Sequence, residues 1–301
     1  MNNNLYPFLA VAALVIIGAG TYAHVHTYAQ SLNTEYAVCT SYDMPEVTAK
    51  AAYVYDLKSG TALMSKNSDA QLPLASLTKL ATALVAAEAL KPLSSITITE
   101  KALAPEGDSG LFAGEVWRAD DLLAFTLITS SNDGARALAL AAGASSLEAF
   151  IEKMNTMAQD IGAKQTFFIN ETGLDVSSST AGAYGSAHDV ALLLNYAYQK
   201  DQDILIGSTQ SASVYTSLSG VSHTIKHTSS VAGTIQGELA VKTGFTDLAG
   251  GNLAILVEVL PGRPVAIVVL GASRETRDTD VARLAEAARE ALKRATLCTK
   301  I

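Results

Sequence analysis

The sequence predicts a mixed α/β (α+β) fold, in which one sheet is assembled from both ends of the chain and a helical subdomain is inserted between them. Three observations carry this. Residues 51–67, "AAYVYDLKSGTALMSKN", alternate apolar and polar around Lys58-Ser59-Gly60, the pattern of a hairpin with a glycine turn. Near the other end, "GELAVKTGF", "GGNLAILVEVL" and "RPVAIVVLGAS" are apolar and β-branched, and Pro261-Gly262 turns the last two into a second hairpin. From about residue 94 to residue 200 the pattern is mostly helical.

The chain opens on "LYPFLAVAALVIIGAGTYA", residues 5–23, a run of 19 residues without a charge. That is long enough to cross a bilayer, and Tyr6 and Tyr22 stand at its ends, where interfacial aromatics belong. The first formal charge is Glu35 and the first lysine is Lys50, so the basic start of an ordinary export signal is missing. Residues 1–23 read as an uncleaved membrane anchor; a signal cleaved after the small residues Thr21–Ala23 is the alternative. Either way the bulk of the chain is expected outside the cytoplasm. Residues 24–48 read as a polar stalk and 49–301 as the domain proper, with its helical subdomain over about 94–200.

Within the domain, a helix is predicted from about Ser76 to Leu90, with Leu77, Leu80 and Leu84 forming an amphipathic core face. "RADDLLAFTLITSSNDGARALALAAG" reads as two helices meeting at residues 130–133. Ser146 is the expected N-cap of a helix that ends at Gly162, another helix begins at Ser186, and a last one covers about Thr279 to Ala295.

Composition narrows the function classes. Of 301 residues, 49% are hydrophobic and 17% charged, enough for a sizeable core. Net charge is −8 with no Lys/Arg-rich run, which argues against nucleic acid as a partner. None of His24, His26, His188, His223 and His227 stands in a metal-binding motif, so no metal is expected. No phosphate-cradling glycine loop follows a strand, so neither nucleotide nor other cofactor is expected. Cys39 and Cys298 stand near the two ends, as a disulfide clamp of an exported domain would or as two unrelated thiols.

The chemistry begins at Ser76 and Lys79. Serine is a weak nucleophile and needs a neighbouring base, and a spacing of three on a helix sets the amine beside the hydroxyl. The helix start adds backbone N–H groups where an oxyanion would form. Taken alone, S-x-x-K is as readily a solvated lysine on a helix. Two further motifs change that reading. Ser130-Ser131-Asn132 gives S-x-N at the helix junction, and Lys242-Thr243-Gly244 ends an apolar strand. These three together form the set known from class A β-lactamases and penicillin-binding proteins.

Longer blocks carry the resemblance further. "LASLTKLATAL", "GLFAGE", "DDLLAFTLITSSNDGARALA", "FFINETGLD", "GSAHDVALLL" and "VKTGFTDLAGGNLA" resemble, in order, segments of D-alanyl-D-alanine carboxypeptidases of the low-molecular-mass penicillin-binding protein type. The similarity covers about residues 48–297. It implies a β-lactamase/transpeptidase-like fold, with a five-stranded antiparallel sheet, flanking helices and a helical subdomain. It also implies roles. Ser76 would be the acylated nucleophile and Lys79 its base, with a pKa lowered by burial and by the charge of Lys242. Ser130 would relay a proton to the leaving amine, and Asn132 would hold the substrate amide. Lys242, Thr243 and Arg277 would bind the terminal carboxylate, and Gly244 would let the strand edge come close. The backbone N–H groups of Ser76 and Phe245 would form the oxyanion hole.

The implied activity is trimming of peptidoglycan stem peptides by a serine D-Ala-D-Ala carboxypeptidase, with β-lactams as covalent inhibitors. An endopeptidase cutting D,D-cross-links would use the same residues, and transpeptidation would share the first step. A non-catalytic wall-binding module is a further alternative, although it would have no chemical need for both Lys79 and Lys242. Two departures from the family pattern stand out. "KHTSS", residues 226–230, replaces an Asn-Thr-Asn-like run, and Glu171 lacks the E-x-x-L-N context of a deacylating glutamate, so it reads as an ordinary loop carboxylate.

Overall fold

The computed structural model describes residues 44–107, 109–143, 146–200 and 203–298. The apolar segment 5–23, most of the stalk and Cys39 lie outside these residues, as does the side chain of Cys298. Residues 44–289 form one unit, to which the following description applies.

The first alternating stretch becomes a hairpin of β1 (Ala51–Asp56) and β2 (Thr61–Lys66) that turns through Gly60 at φ +70°. The short β3 (Leu72–Pro73) leads into a 3₁₀ turn over Ala75–Leu77, and α1 (Thr78–Ala89) follows directly. β4 (Ser95–Thr97) pairs with β5 (Val116–Arg118) ahead of α2 (Ala119–Thr129). Then come α3 (Asn132–Ala142) and α4 (Leu147–Asp160). β6 (Phe167–Phe168) and β7 (Ala183–Gly185) join β3 in a small sheet. α5 (Ala187–Lys200) and the single turn α6 (Asp203–Ile206) precede a hairpin of β8 (Ala212–Thr216) and β9 (Ser222–Lys226). The chain closes with β10 (Glu238–Thr246), β11 (Gly250–Leu260), β12 (Arg263–Ala272) and α7 (Arg274–Cys298).

The main sheet has five antiparallel strands in the order β10-β11-β12-β1-β2, so both ends of the domain meet where β12 pairs with β1. Val265 to Leu270 of β12 are buried without alternation, because the sheet is covered on both faces. α5 packs on β1 and β12. Asp280 on α7 accepts from the backbone N–H groups of Thr48 (2.9 Å) and Ala49 (3.1 Å), tying that helix to the start of β1. β10, which carries Lys242-Thr243-Gly244, is an edge strand of this sheet.

The helices share one continuous apolar core with the sheet, which holds Trp117, Phe125, Phe150 and Phe168 together with Ala254, Leu256, Val268 and Leu270. These four aromatic residues are completely buried, each contributing about 1.5–3 kcal/mol of apolar burial. α1 is not the amphipathic helix that its leucine spacing predicts. Every residue from Thr78 to Ala86 is buried, because α1 is the central helix and packs on α2, α3, α4 and α5. α7 starts at Arg274 instead of about Thr279. The Ser273 hydroxyl accepts from the N–H groups of Glu275 (3.2 Å) and Thr276 (3.1 Å) and so caps an earlier start. The Ser146 cap is as expected, accepting from Ala149 N at 3.2 Å. The β8–β9 hairpin stands in a stretch where the sequence offers no long apolar run.

Candidate active site

The turn that carries Ser76 is held from three sides. Ala75, immediately before it, sits at φ +48°, a left-handed conformation that a non-glycine residue keeps only under tertiary constraint. The constraint is visible. Asn252 of β11 is fully buried and donates through Nδ2 to Pro73 O (2.9 Å) and Leu74 O (3.1 Å), while its Oδ1 accepts from Gly271 N (2.8 Å). A Cβ on Gly244 would lie 2.8 Å from Leu74 O, and one on Gly173 would lie 1.9 Å from Ala75 O. Both glycines are therefore required by close backbone approach. For Gly244 the neighbour in contact is the Leu74–Leu77 segment, which explains the residue independently of any substrate.

Lys79 is a wholly buried lysine on α1. Its amine lies 2.8 Å from Ser76 Oγ, 2.7 Å from Asn132 Oδ1 and 2.7 Å from Thr172 O. Burial lowers its pKa to about 7, against the opposing pull of the Glu171 carboxylate. Asn132 Oδ1 and the Thr172 carbonyl can only accept. A neutral Lys79 therefore spends its two N–H bonds on them and is left with a lone pair directed at the Ser76 hydroxyl.

Ser130 and Asn132 come from the junction of α2 and α3. Ser130 ends α2 in the left-handed region, at φ 60° and ψ 32°. Ser131 caps α3 by accepting from Gly134 N at 2.8 Å. The junction thus points Ser130 and Asn132 to different partners. Ser130 Oγ accepts from Lys242 Nζ at 2.8 Å, and Asn132 faces Lys79 while its Nδ2 donates to Glu106 O at 2.7 Å.

Lys242 is buried as well and also donates to its neighbour's carbonyl, Thr243 O, at 2.9 Å. Burial, then the charges of Lys79 and Arg277, push its pKa well below the usual lysine value. Two amines this close and this dry do not both keep a proton readily, and an arriving carboxylate would restore charge to Lys242. The Thr243 hydroxyl shares a hydrogen bond with the Thr228 hydroxyl. His227 lies against the same strand, accepting from Ser229 N (2.9 Å) at Nδ1 and reaching Val241 O (3.3 Å) at Nε2. Burial and the Lys242 charge hold it neutral, with a pKa of about 4. The "KHTSS" run is thus a brace for the edge strand.

The predicted residues divide into two groups. Ser76, Lys79 and Asn132 form one hydrogen-bonded group and Ser130, Lys242 and Thr243 a second, and the α2–α3 junction, which supplies both Ser130 and Asn132, brings the two together. Gly244 and Phe245 continue the β10 edge beside it, with the Gly244 Cβ position 3.3 Å from Leu77 N. Arg277 is placed differently. It is buried, donating to Gly244 O (2.9 Å) and Thr228 O (3.2 Å), so it supports the strand from behind. The exposed cation at this end is Arg274, whose guanidinium lies 3.6 Å from the centre of the Phe245 ring.

Glu171 is not an ordinary loop carboxylate: it is fully buried and ion-paired with Arg136 of α3. Sequence reasoning also missed Asn252, Asn170 and Thr172. The "GGN" and "NETG" strings inside the quoted blocks are the available signal for them. Among the described residues no cluster of His, Cys, Asp or Glu could hold a metal ion.

A hydroxyl beside a buried amine, next to a sheet edge, is equipped to form and break an ester, the arrangement of a serine hydrolase. Residues 38–274 match the family described as D-alanyl-D-alanine carboxypeptidase, and the chain belongs to that family. It is 30% identical over 259 residues to a D-alanyl-D-alanine endopeptidase of Escherichia coli (strain K12), covering 82% of this chain and 79% of that protein. A D-alanyl-D-alanine carboxypeptidase of Mycobacterium tuberculosis H37Rv superposes with a TM-score of 0.74 at 25% identity, covering 82% of this chain and 93% of the other. Penicillin-Binding Protein D2 of Listeria monocytogenes, in its ampicillin-bound form, superposes with a TM-score of 0.68 at 28% identity, over 81% of this chain and 98% of that one.

Proposed function

We propose that the protein removes the terminal D-alanine from peptidoglycan stem peptides through an acyl-enzyme on Ser76. The observation that carries this is the wholly buried Lys79 amine, 2.8 Å from Ser76 Oγ. Neutral Lys79 takes the hydroxyl proton as Ser76 attacks the carbonyl of the penultimate D-alanine. The N–H groups of Ser76 and Phe245 receive the oxyanion. Ser130, bonded to Lys242, gives its hydroxyl proton to the leaving amine and is reprotonated with the proton that Lys79 took, so that terminal D-alanine departs and Lys79 is neutral again. Water then cleaves the ester, so that one water is consumed for each D-alanine released. Lys242 and Thr243 engage the substrate carboxylate. Arg274 adds positive charge at that end, while Arg277 holds the strand from behind.

A second reading has support from the endopeptidase of Escherichia coli. Cutting a D,D-cross-link attacks the same carbonyl and differs only in the leaving group. Capture of β-lactams on Ser76 is supported by the relative whose structure is an ampicillin-bound form. A place in the cell envelope fits the family's wall substrate. Tethering there by residues 5–23 rests on the charge-free run itself; no helix of the described residues is long and apolar enough to cross a membrane. A Cys39–Cys298 bridge fits the same compartment.

The test is labelled penicillin applied to the full-length protein and to Ser76→Ala. Label on the wild type and none on the variant is expected; label that survives in the variant contradicts the assignment. Product analysis on a pentapeptide and on a cross-linked dimer then separates the two readings.

A further inference from the structure

The Arg136–Glu171 ion pair takes no part in the steps above, yet it stands directly behind the catalytic lysine. Glu171 lies in the turn 170–174. Its Oε1 accepts from Arg136 Nε on α3, the helix that begins with Asn132. Its carbonyl accepts from Thr82 Oγ1 on α1 at 2.7 Å, one residue beyond the turn that holds Lys79. The next residue, Thr172, supplies the carbonyl bonded to Lys79. Asn170 wires the turn internally, its Oδ1 accepting from Thr172 N (3.2 Å) and Gly173 N (2.7 Å). The ion pair therefore joins α3, which contributes Asn132, to the turn that supplies the Thr172 carbonyl, and the Glu171 main-chain carbonyl ties that turn to α1, which contributes Lys79.

A bare structural brace would not need a buried carboxylate here. Glu171 is fully buried, and its Oε2 has no hydrogen-bond partner. Leaving that oxygen bare is costly unless nearby charge offsets it. Arg136 offsets that charge through Oε1, and the same carboxylate favours the ammonium form of Lys79. The other charged groups facing this region are Lys242 on β10, Arg136 on α3 and, behind Lys242, Arg277 on α7. Burial strips Lys242 of its charge readily and Arg277 is paired with Asp278, so Glu171 is the carboxylate that acts on Lys79 itself.

We propose that Arg136 and Glu171 are positioning residues of the acylation machinery, holding the Thr172 carbonyl on Lys79 and setting the negative charge that the lysine feels. This rests on the acyl-enzyme reading of Ser76 and Lys79. It also gives Glu171 a task unlike that of a water-activating glutamate, for which a fully buried, arginine-bound carboxylate is unsuited.

The test follows covalent labelling by a penicillin from about pH 5 to 9 in full-length wild type, in Glu171→Gln, and in the double variant Arg136→Met with Glu171→Met. Removing the carboxylate removes the field that favours the ammonium, so Lys79 gives up its proton at lower pH. In Glu171→Gln the midpoint of the acid limb is expected to fall by about half a unit to one unit; in the double variant it falls by less, about half a unit, because the partly exposed and screened Arg136 charge lost with it had opposed the carboxylate. The rate at low pH then rises several-fold relative to the rate at high pH, whatever the absolute rate. The double variant replaces a buried ion pair with apolar side chains, a change that folds commonly tolerate, and it keeps the test alive if Glu171→Gln does not fold. A midpoint that stays within about 0.2 units of wild type overturns the proposal. So does complete loss of labelling in both variants, since positioning residues leave residual chemistry. A wild type that takes no label overturns the acyl-enzyme reading itself.

Discussion

Lys79 Nζ and Ser76 Oγ lie 2.8 Å apart, and the other two partners of that amine, Asn132 Oδ1 and Thr172 O, accept hydrogen bonds without donating any. A protonated Lys79 satisfies all three oxygens and leaves the serine without a base. A neutral Lys79 satisfies two and turns its lone pair to the hydroxyl. With the pKa lowered to about 7, the two states exchange near neutrality.

Lys79→Arg keeps the charge and most of the bulk, but arginine does not deprotonate in this range. Acylation by a labelled penicillin is expected to fall about 10²–10⁴-fold, the usual worth of a positioned general base. Circular dichroism and thermal unfolding check that the variant is folded.

Asn132→Asp sets a carboxylate in place of an amide oxygen 2.7 Å from the lysine amine. An adjacent negative charge favours the ammonium form, so the Lys79 pKa rises. The acid limb of acylation is expected to move to higher pH by about one unit or more. Rates measured across the pH range check it, and an unmoved limb contradicts it.

Gly244→Ala places a methyl 2.8 Å from the Leu74 carbonyl, a backbone atom fixed by Asn252. The edge strand must then shift away from the Ser76 turn. Stability is expected to fall by about 1–3 kcal/mol, read from denaturant unfolding. Acylation is expected to fall by a larger factor than stability alone explains, because the strand carries Lys242 and Thr243.

Ser130→Gly and Ser130→Ala lose the same hydroxyl, and both are expected to lose activity. They differ in backbone strain. Ser130 sits at φ 60°, where glycine is unstrained and alanine is not. The glycine variant is expected to be the more stable of the two by about 1 kcal/mol, measured by thermal unfolding.

The candidate site was legible in the sequence because its side chains stand in short local strings. S-x-x-K sets Ser76 and Lys79 one turn apart where a 3₁₀ turn runs into α1, and K-T-G lies on an edge strand. The sheet was legible from its glycine turns at Gly60 and Gly262, both at positive φ. What escaped reading depends on long-range contact. The Thr172 carbonyl has no residue signature, since any residue carries one. Asn252 matters because it meets Pro73 and Leu74 across the sheet, a pairing that no local string reports. Glu171 looked like a loop carboxylate because Arg136, its partner, lies on a different element. The amphipathic reading of α1 failed because burial on every side erases the polar face that periodicity relies on. Arg277 aligned with a carboxylate-binding role, but its guanidinium turns inward to the Gly244 carbonyl.

The most direct measurement is the second-order rate constant for acylation of wild-type Ser76 by a β-lactam as a function of pH. A lysine that acts as a neutral base near its lowered pKa gives a rate that climbs with pH through a midpoint near 7 and then levels off. A rate that is flat across that range, or that keeps climbing toward the ordinary lysine value of 10.5, would contradict a Lys79 that acts as a neutral base near its lowered pKa.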